Sequence, residues 1–209
     1  MPEANMMKLF KRHMYQFIET IRMEHGEALL LPLHEKRLNA TRLHFFGDCK
    51  PLQLKDYIHW DEASKGVTKC RILYDASGIC QVTYTPYHIR QVATLRLVRN
   101  DEIDYTYKST DRSALNHCFE QRGEADEVLI VRRGLLTDTS IANIALWDGM
   151  QWVTPLHPLL CGVRRQSLLL NGTISARDVT ADEWGNFDRI RLFNGMIEWG
   201  ELEISIPHK

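Results

Sequence analysis

The apolar stretches of this chain are short and are cut by polar turns that contain glycine, and this limits what it can fold into more than any other feature. Phe17 to Met23 and Ala28 to Leu33 flank Glu24-His25-Gly26-Glu27, and Lys69 to Tyr74 and Ile79 to Tyr84 flank Asp75-Ala76-Ser77-Gly78. Apolar runs of this length around such turns predict antiparallel hairpins rather than helices. Between the hairpins, His34 to Phe46 mixes Leu38, Thr41, Leu43 and Phe45 with basic and amide residues ahead of Gly47, which predicts a helix, and a second helix is expected over Leu54 to Ala63. The first part of the chain therefore reads as α+β.

The pattern changes after Gln91. Strands are expected at Ala93 to Val98, Ile103 to Tyr107, Val128 to Val131, Ser140 to Trp147, Trp152 to Thr154, Arg189 to Phe193 and Leu202 to Ile206. Helices are expected at Asp111 to Gln121, closed by Gly123, at Val163 to Leu170, and briefly near Ala181 to Trp184. A chain of 209 residues, 44% of them hydrophobic, can bury one large core or two small ones. The change of pattern places a boundary between residues 88 and 96, dividing the chain into a small domain over 1–92 and a larger one over 93–209. With no repeat or flexible linker, the two halves are expected to pack closely.

Charge and cysteine usage exclude several classes. The 26 basic and 27 acidic residues leave a net charge of -1, so no overall positive field draws the chain to nucleic acid or to anionic lipid. Cys49, Cys70, Cys80, Cys118 and Cys161 are odd in number and contain no CxxC pair, which fits a reducing compartment, and no apolar run is long enough for a signal segment or a bilayer span. A soluble cytoplasmic protein with neither a nucleic-acid nor a membrane partner is the expectation.

Phosphate loops of the GxxxxGK[ST] and GxGxxG kinds and the GxSxG nucleophile turn are absent, and the nine histidines show no HxH or HExxH spacing, so no metal site is expected. Lysine chemistry remains. Lys108, in DYTYKSTDRSALN, stands at an expected junction of strand and helix with no acid closer than Asp104 and Asp111. Taken alone, it reads as a solvated surface lysine well ahead of an amine nucleophile. The stretch TDTSIANIALWDGMQWVTPLHPLLCGVRRQ adds two features. Leu159 to Gln166 ends a loop and begins a helix, leaving the backbone N–H groups of Val163 and Arg164 at the positive helix end, where phosphate binds. Asp138 supplies a carboxylate. An amine, an acid and a phosphate cradle are what pyridoxal 5'-phosphate requires.

Five motifs then occur in one order: Phe17-Ile18-Glu19-Thr20-Ile21-Arg22; His34-x-x-Arg37-Leu38; Tyr107-Lys108-Ser109; Asp138-x-x-x-x-Asn143-Ile144; and Trp152-Val153-Thr154-Pro155 followed by Leu160-x-Gly162-Val163-x-Arg165. In this order the chain resembles the class IV aminotransferases, the fold type IV pyridoxal-phosphate enzymes that include branched-chain and D-amino acid aminotransferases and 4-amino-4-deoxychorismate lyase. The resemblance covers most of residues 15 to 200. It implies a two-domain α+β fold, with a small N-terminal α/β sandwich and a C-terminal pseudo-barrel, and usually a homodimer. It implies that Lys108 binds the cofactor covalently and moves the proton between substrate and cofactor. Asp138 would face the pyridine nitrogen, Arg37 would pair with the phosphate, and the turn Gly162-Val163-Arg164 would hold the same phosphate through backbone amides.

Asp138 stands where the family usually has glutamate, and Arg164 where threonine is common. Familiar members carry a further strand and loop ahead of the FIETIR-like segment, where about 14 residues precede Tyr15 here, so part of the wall over the substrate is expected to be missing. Arg71, Tyr74, Tyr105, Tyr107 and Thr154 are the candidate substrate contacts, Arg71 as partner of a substrate carboxylate, and each is equally open to a packing or surface role. Ser113 and Asn116 are candidates for the cofactor's phenolic oxygen. Transamination of a small amino acid leads as the expected reaction, 4-amino-4-deoxychorismate lyase follows, and a non-catalytic binding protein on the same scaffold is the third reading.

Overall fold

A computed structural model describes residues 15–47, 49–59 and 66–206. The fold is α+β, with few helices and several sheets. The chain divides into two compact units, residues up to His88 with Tyr107–Asp111, and Ile89–Thr106 with Arg112 onward. The segment that carries Lys108 thus groups with the first unit.

The first unit is a four-stranded antiparallel sheet with one long helix. β1 (Phe17–Glu24) pairs with the two-residue β2 (Glu27–Ala28), with β3 (Thr68–Asp75), and through β3 with β4 (Gly78–Pro86), in the order β2-β1-β3-β4. The β1–β2 loop is His25-Gly26, both at positive φ (51° and 80°), the turn whose twist suits a two-residue hairpin. The strand expected over Ala28 to Leu33 stops after Ala28. Pro32 sits in the first turn of helix α1 (Leu31–Phe46), where a missing N–H costs nothing, so these apolar residues start a helix instead. Gly47, at φ 78°, closes α1 where the sequence predicts. The helix expected from Leu54 is a single 3-10 turn, Leu54–Asp56, and 60–63 lie outside the described residues.

In the β1–β3 register Glu19 faces Ile72 and Thr20 faces Arg71, so alternation sorts the side chains onto two faces. Phe17, Ile21, Cys70, Ile72 and Tyr74 form the core with Leu38 and Phe46 of α1. Glu19 lies on that same buried face.

The second unit holds two sheets. β5 (Leu95–Arg99) runs parallel to β6 (Glu127–Arg132), with helix α2 (Ser113–Glu120) between them in sequence, and β6 turns at Arg133-Gly134 into antiparallel β7 (Leu135–Thr139). The other sheet has the order β10-β9-β8-β11-β12. Its strands are β8 (Asn143–Trp147), β9 (Trp152–Pro155), β10 (Ser175–Arg177), β11 (Arg189–Phe193) and β12 (Glu203–Ser205), and helix α3 (Val163–Leu170) carries the chain from β9 to β10. The strand expected at Ile103 to Tyr107 is absent. Asp104 accepts hydrogen bonds from the backbone and hydroxyl of Thr106 (3.0 and 2.7 Å), a local turn that competes with strand pairing. Nor does one strand run from Ser140 to Trp147. Thr139 and Ala142 close a tight turn on each other, and this turn passes the chain from β7 in one sheet to β8 in the other. Among the described residues no helix is long and apolar enough to cross a membrane.

Candidate active site

In the first unit, Lys108 lies in an irregular segment stitched to the start of β1. Its carbonyl accepts the Ile18 N–H (3.0 Å), Gln16 accepts the Thr110 N–H (3.0 Å), and Phe17 bridges to Ser109. Lys108 is half-buried, and its charge opposes protonation of His34 on α1. Tyr107 beside it is packed, its ring stacked on His44 (4.8 Å between centroids) and edge-on to Phe45 (4.8 Å).

Arg37 projects from α1 onto Glu19 of β1 and grips it with two hydrogen bonds, Nε to Oε1 at 2.9 Å and Nη2 to Oε2 at 2.5 Å. His34, one turn earlier on the helix, shares Oε2 through Nδ1 at 2.6 Å. Burial alone would raise the Glu19 carboxyl, but Arg37 and His34 override it and hold it at about 2. Burial lowers the His34 pKa. Because an ionised Glu19 only accepts hydrogen bonds, Nδ1 carries the His34 proton.

Two of the expected substrate contacts in this unit diverge. Arg71 sits half-buried on the sheet face away from α1, in register with Thr20 and Thr83. Tyr74 occupies the core face with 0% exposure against Phe17, a position that fits the packing role left open for it. The residue count along CRILY places Tyr74 three positions from Arg71, and strand alternation sends the two to opposite faces.

In the second unit, Asp138 lies near the end of β7, 5% exposed, with both carboxylate oxygens engaged. Oδ1 accepts from Asn143 Nδ2 (2.8 Å) and Oδ2 from the backbone N–H of Leu160 (2.9 Å). Desolvation raises its pKa to about 6 against these two donors. The same Asn143 nitrogen donates to the Leu160 carbonyl (2.9 Å), so one side chain fastens the acid to the turn that opens α3. That turn ends at Gly162, which has extended backbone (φ -66°, ψ 145°) and begins the helix with no side-chain cap and no acid in the first turn. The positive end of α3 is thus left to its backbone donors.

Neighbouring side chains are engaged elsewhere. Arg164 reaches Glu198 with Nη2. Arg165 turns into the core, donating to Thr154 Oγ1 (3.3 Å) and to the Pro155 carbonyl (2.7 Å). Thr154, fully buried, donates in turn to the Ile144 carbonyl (2.8 Å), so its hydroxyl holds β9 to β8, which fits the packing role left open for it. Tyr105 is buried with the Arg112 guanidinium 5.7 Å from its ring, while Ser113 and Asn116 are exposed on α2.

A family model for the class IV amino-transferases matches residues 16–202. The chain belongs to this family. A Haemophilus somnus structure described as a putative 4-amino-4-deoxychorismate lyase is 32% identical, with a TM-score of 0.81, over 89% of this chain and 98% of its own. A Schizosaccharomyces pombe protein named "Putative aminodeoxychorismate lyase" is 29% identical over 188 residues, 81% of each chain. A Haemophilus influenzae protein whose name gives no activity is 34% identical over 186 residues, 88% of this chain and 98% of its own. The family is dependent on pyridoxal phosphate.

The residues present fit that cofactor. A buried acid, joined through Asn143 to a helix N-terminus that lacks a capping side chain, offers a partner for a ring nitrogen beside donors for a phosphate. Sequence reading missed Glu19, Arg165 and Glu198 as partners of the expected residues. For Glu19 a signal existed: Phe17, Glu19 and Ile21 share one face of a strand, and an acid on an apolar face calls for a cation.

Proposed function

We propose that this chain is a pyridoxal-phosphate enzyme whose reaction is that of a lyase, converting 4-amino-4-deoxychorismate to 4-aminobenzoate and pyruvate. The observation that carries this reading is the likeness to the Haemophilus somnus protein, which spans nearly the full length of both chains and bears the lyase name. The Schizosaccharomyces pombe relative supports it. The sequence alone ranks transamination first, and the names these relatives carry support the reading it placed second.

When bound, the cofactor supplies an electron sink for the carbon that carries the substrate's amine. The chain's own residues supply the rest. Lys108 would hold the cofactor and, as a neutral amine, would take the proton from that carbon. In 4-amino-4-deoxychorismate the neighbouring ring carbon bears the enolpyruvyl ether, so proton loss and departure of enolpyruvate leave an aromatic ring, and the enol becomes pyruvate on taking up a proton. Within the second unit Asp138 would be the partner of the pyridine nitrogen and the α3 backbone donors at Val163 and Arg164 would hold the phosphate; within the first unit Arg37 would be a further phosphate partner. Arg71 is the partner proposed for a substrate carboxylate, because its face of the sheet is only half covered.

Transamination is the second reading, favoured by the family description itself, since Lys108 and the phosphate donors serve both reactions. One assay separates them. Purified holoenzyme given 4-amino-4-deoxychorismate releases 4-aminobenzoate and pyruvate in equal amounts if the lyase reading holds. If those products are absent while an amino acid and a 2-oxo acid exchange amino groups, the lyase reading is wrong.

A further inference from the structure

Glu19 is a fully buried acid paired with Arg37, and no substrate or proton step uses it. It is 0% exposed on the α1 face of β1, between Phe17 and Ile21, yet burial has not neutralised it. Three donors converge on its two oxygens, two from Arg37 and one from His34. A buried ion pair is seldom more stabilising than apolar side chains of the same volume, so stability alone is a weak reason for its presence.

The exposures of the two partners differ. The Glu19 side chain is sealed, while that of Arg37 retains 13%. The acid is sealed, and the Arg37 side chain that grips it keeps an accessible part. Glu19 occupies the Nε/Nη2 edge, so an incoming anion meets Arg37 through the Nη1/Nη2 end of the same plane. His34, which fixes Glu19 from the other side, also feels the Lys108 cation, which sets this pair in the neighbourhood of the proposed cofactor lysine.

We infer that Glu19 is a positioning residue: it locks the Arg37 guanidinium in the orientation that receives the cofactor's phosphate. This rests on the reading of the chain as a pyridoxal-phosphate protein. An arginine on a flexible stem loses rotamer freedom when it binds an anion, and a fork already gripped by Glu19 has lost that freedom in advance. The opposite effect is also physically available. The Glu19 charge offsets that of Arg37 and repels a phosphate dianion. The two effects predict opposite signs for removal of the charge, so the question is decidable.

The experiment titrates cofactor-free protein with pyridoxal phosphate and, separately, with pyridoxal, which lacks the phosphate, following the cofactor's absorbance. Wild type, Glu19→Gln, Arg37→Met and the double variant are compared, with circular dichroism and thermal melts to establish that each is folded. Glu19→Gln keeps the size of the side chain and one acceptor, and the double variant removes the buried cation that a lost acid strands. The expected result is that Glu19→Gln weakens pyridoxal phosphate roughly tenfold, the scale of one charge-assisted hydrogen bond, and leaves pyridoxal unchanged. Arg37→Met does the same, and the double variant is no weaker than Arg37→Met alone. Tighter binding of pyridoxal phosphate by Glu19→Gln, an unchanged ratio of the two ligands, or additive losses in the double variant would each overturn the inference. If wild type takes up neither ligand, the cofactor reading itself fails, which is a different result.

Discussion

The amide oxygen of Asn143 stands where a side chain at Gly162 would have to go: a Cβ built on Gly162 lies 1.9 Å from it. The other end of that amide binds Asp138 and the Leu160 carbonyl, so the acid, the amide and the turn before α3 form one closed unit. Gly162 is therefore required by close approach, since its φ of -66° is open to any residue. Gly162→Ala is expected to displace Asn143 and cost about 1–3 kcal/mol, the scale of overpacking a tight site. A thermal melt reads the loss, and an unchanged melting temperature would mean that Asn143 relaxes freely.

The buried Asp138 gives stability a pH dependence of uncommon sign. Its folded pKa, about 6, lies above the value of 3.8 for a free side chain. Between these values the unfolded chain has lost the proton while the native protein keeps it, so stability falls as pH rises through that window, by about 3 kcal/mol at most. Glu19, held at about 2 against 4.5, acts in the other direction, and its contribution is lost as pH falls from 4.5. Urea titrations of the cofactor-free protein across pH 4 to 7 test the first effect. The difference in stability between wild type and Asp138→Asn should shift against wild type as pH rises, and a difference independent of pH would contradict it.

The Arg164 side chain is committed to Glu198, and the contribution proposed for position 164 is its backbone N–H. Arg164→Met should consequently hold pyridoxal phosphate within about threefold of wild type, less than 1 kcal/mol, when followed by absorbance titration. A loss of tenfold or more would assign the phosphate contact to the guanidinium.

What the sequence revealed follows physical lines. The β3–β4 hairpin and α3 were legible because apolar period and turn residues agree there: Asp75 to Gly78 marks the turn, and Gly162 the helix start. Ala28 to Leu33 and Ile103 to Tyr107 misled for the reason that composition outvoted local backbone chemistry, Pro32 in one case and Asp104 with Thr106 in the other. Strand β10, Ser175–Arg177, is three residues beside β9 and has no apolar pattern of its own. Among the expected site residues, Asp138, Asn143 and Gly162 were readable as ordered motifs, and their mutual contacts depend on side-chain reach that spacing does not encode. For Tyr74 and Thr154 the sequence left a packing role and a substrate role equally open, because spacing does not say which neighbours a side chain meets. One is covered by the core and the other holds two strands together.

Covalent capture of the cofactor tests the central claim most directly. Holoenzyme reduced with borohydride and digested is expected to yield one peptide carrying the cofactor's mass, with the modification on Lys108, and Lys108→Ala should yield none. A colourless protein, or an adduct on another lysine while Lys108 is unmodified, would contradict the account.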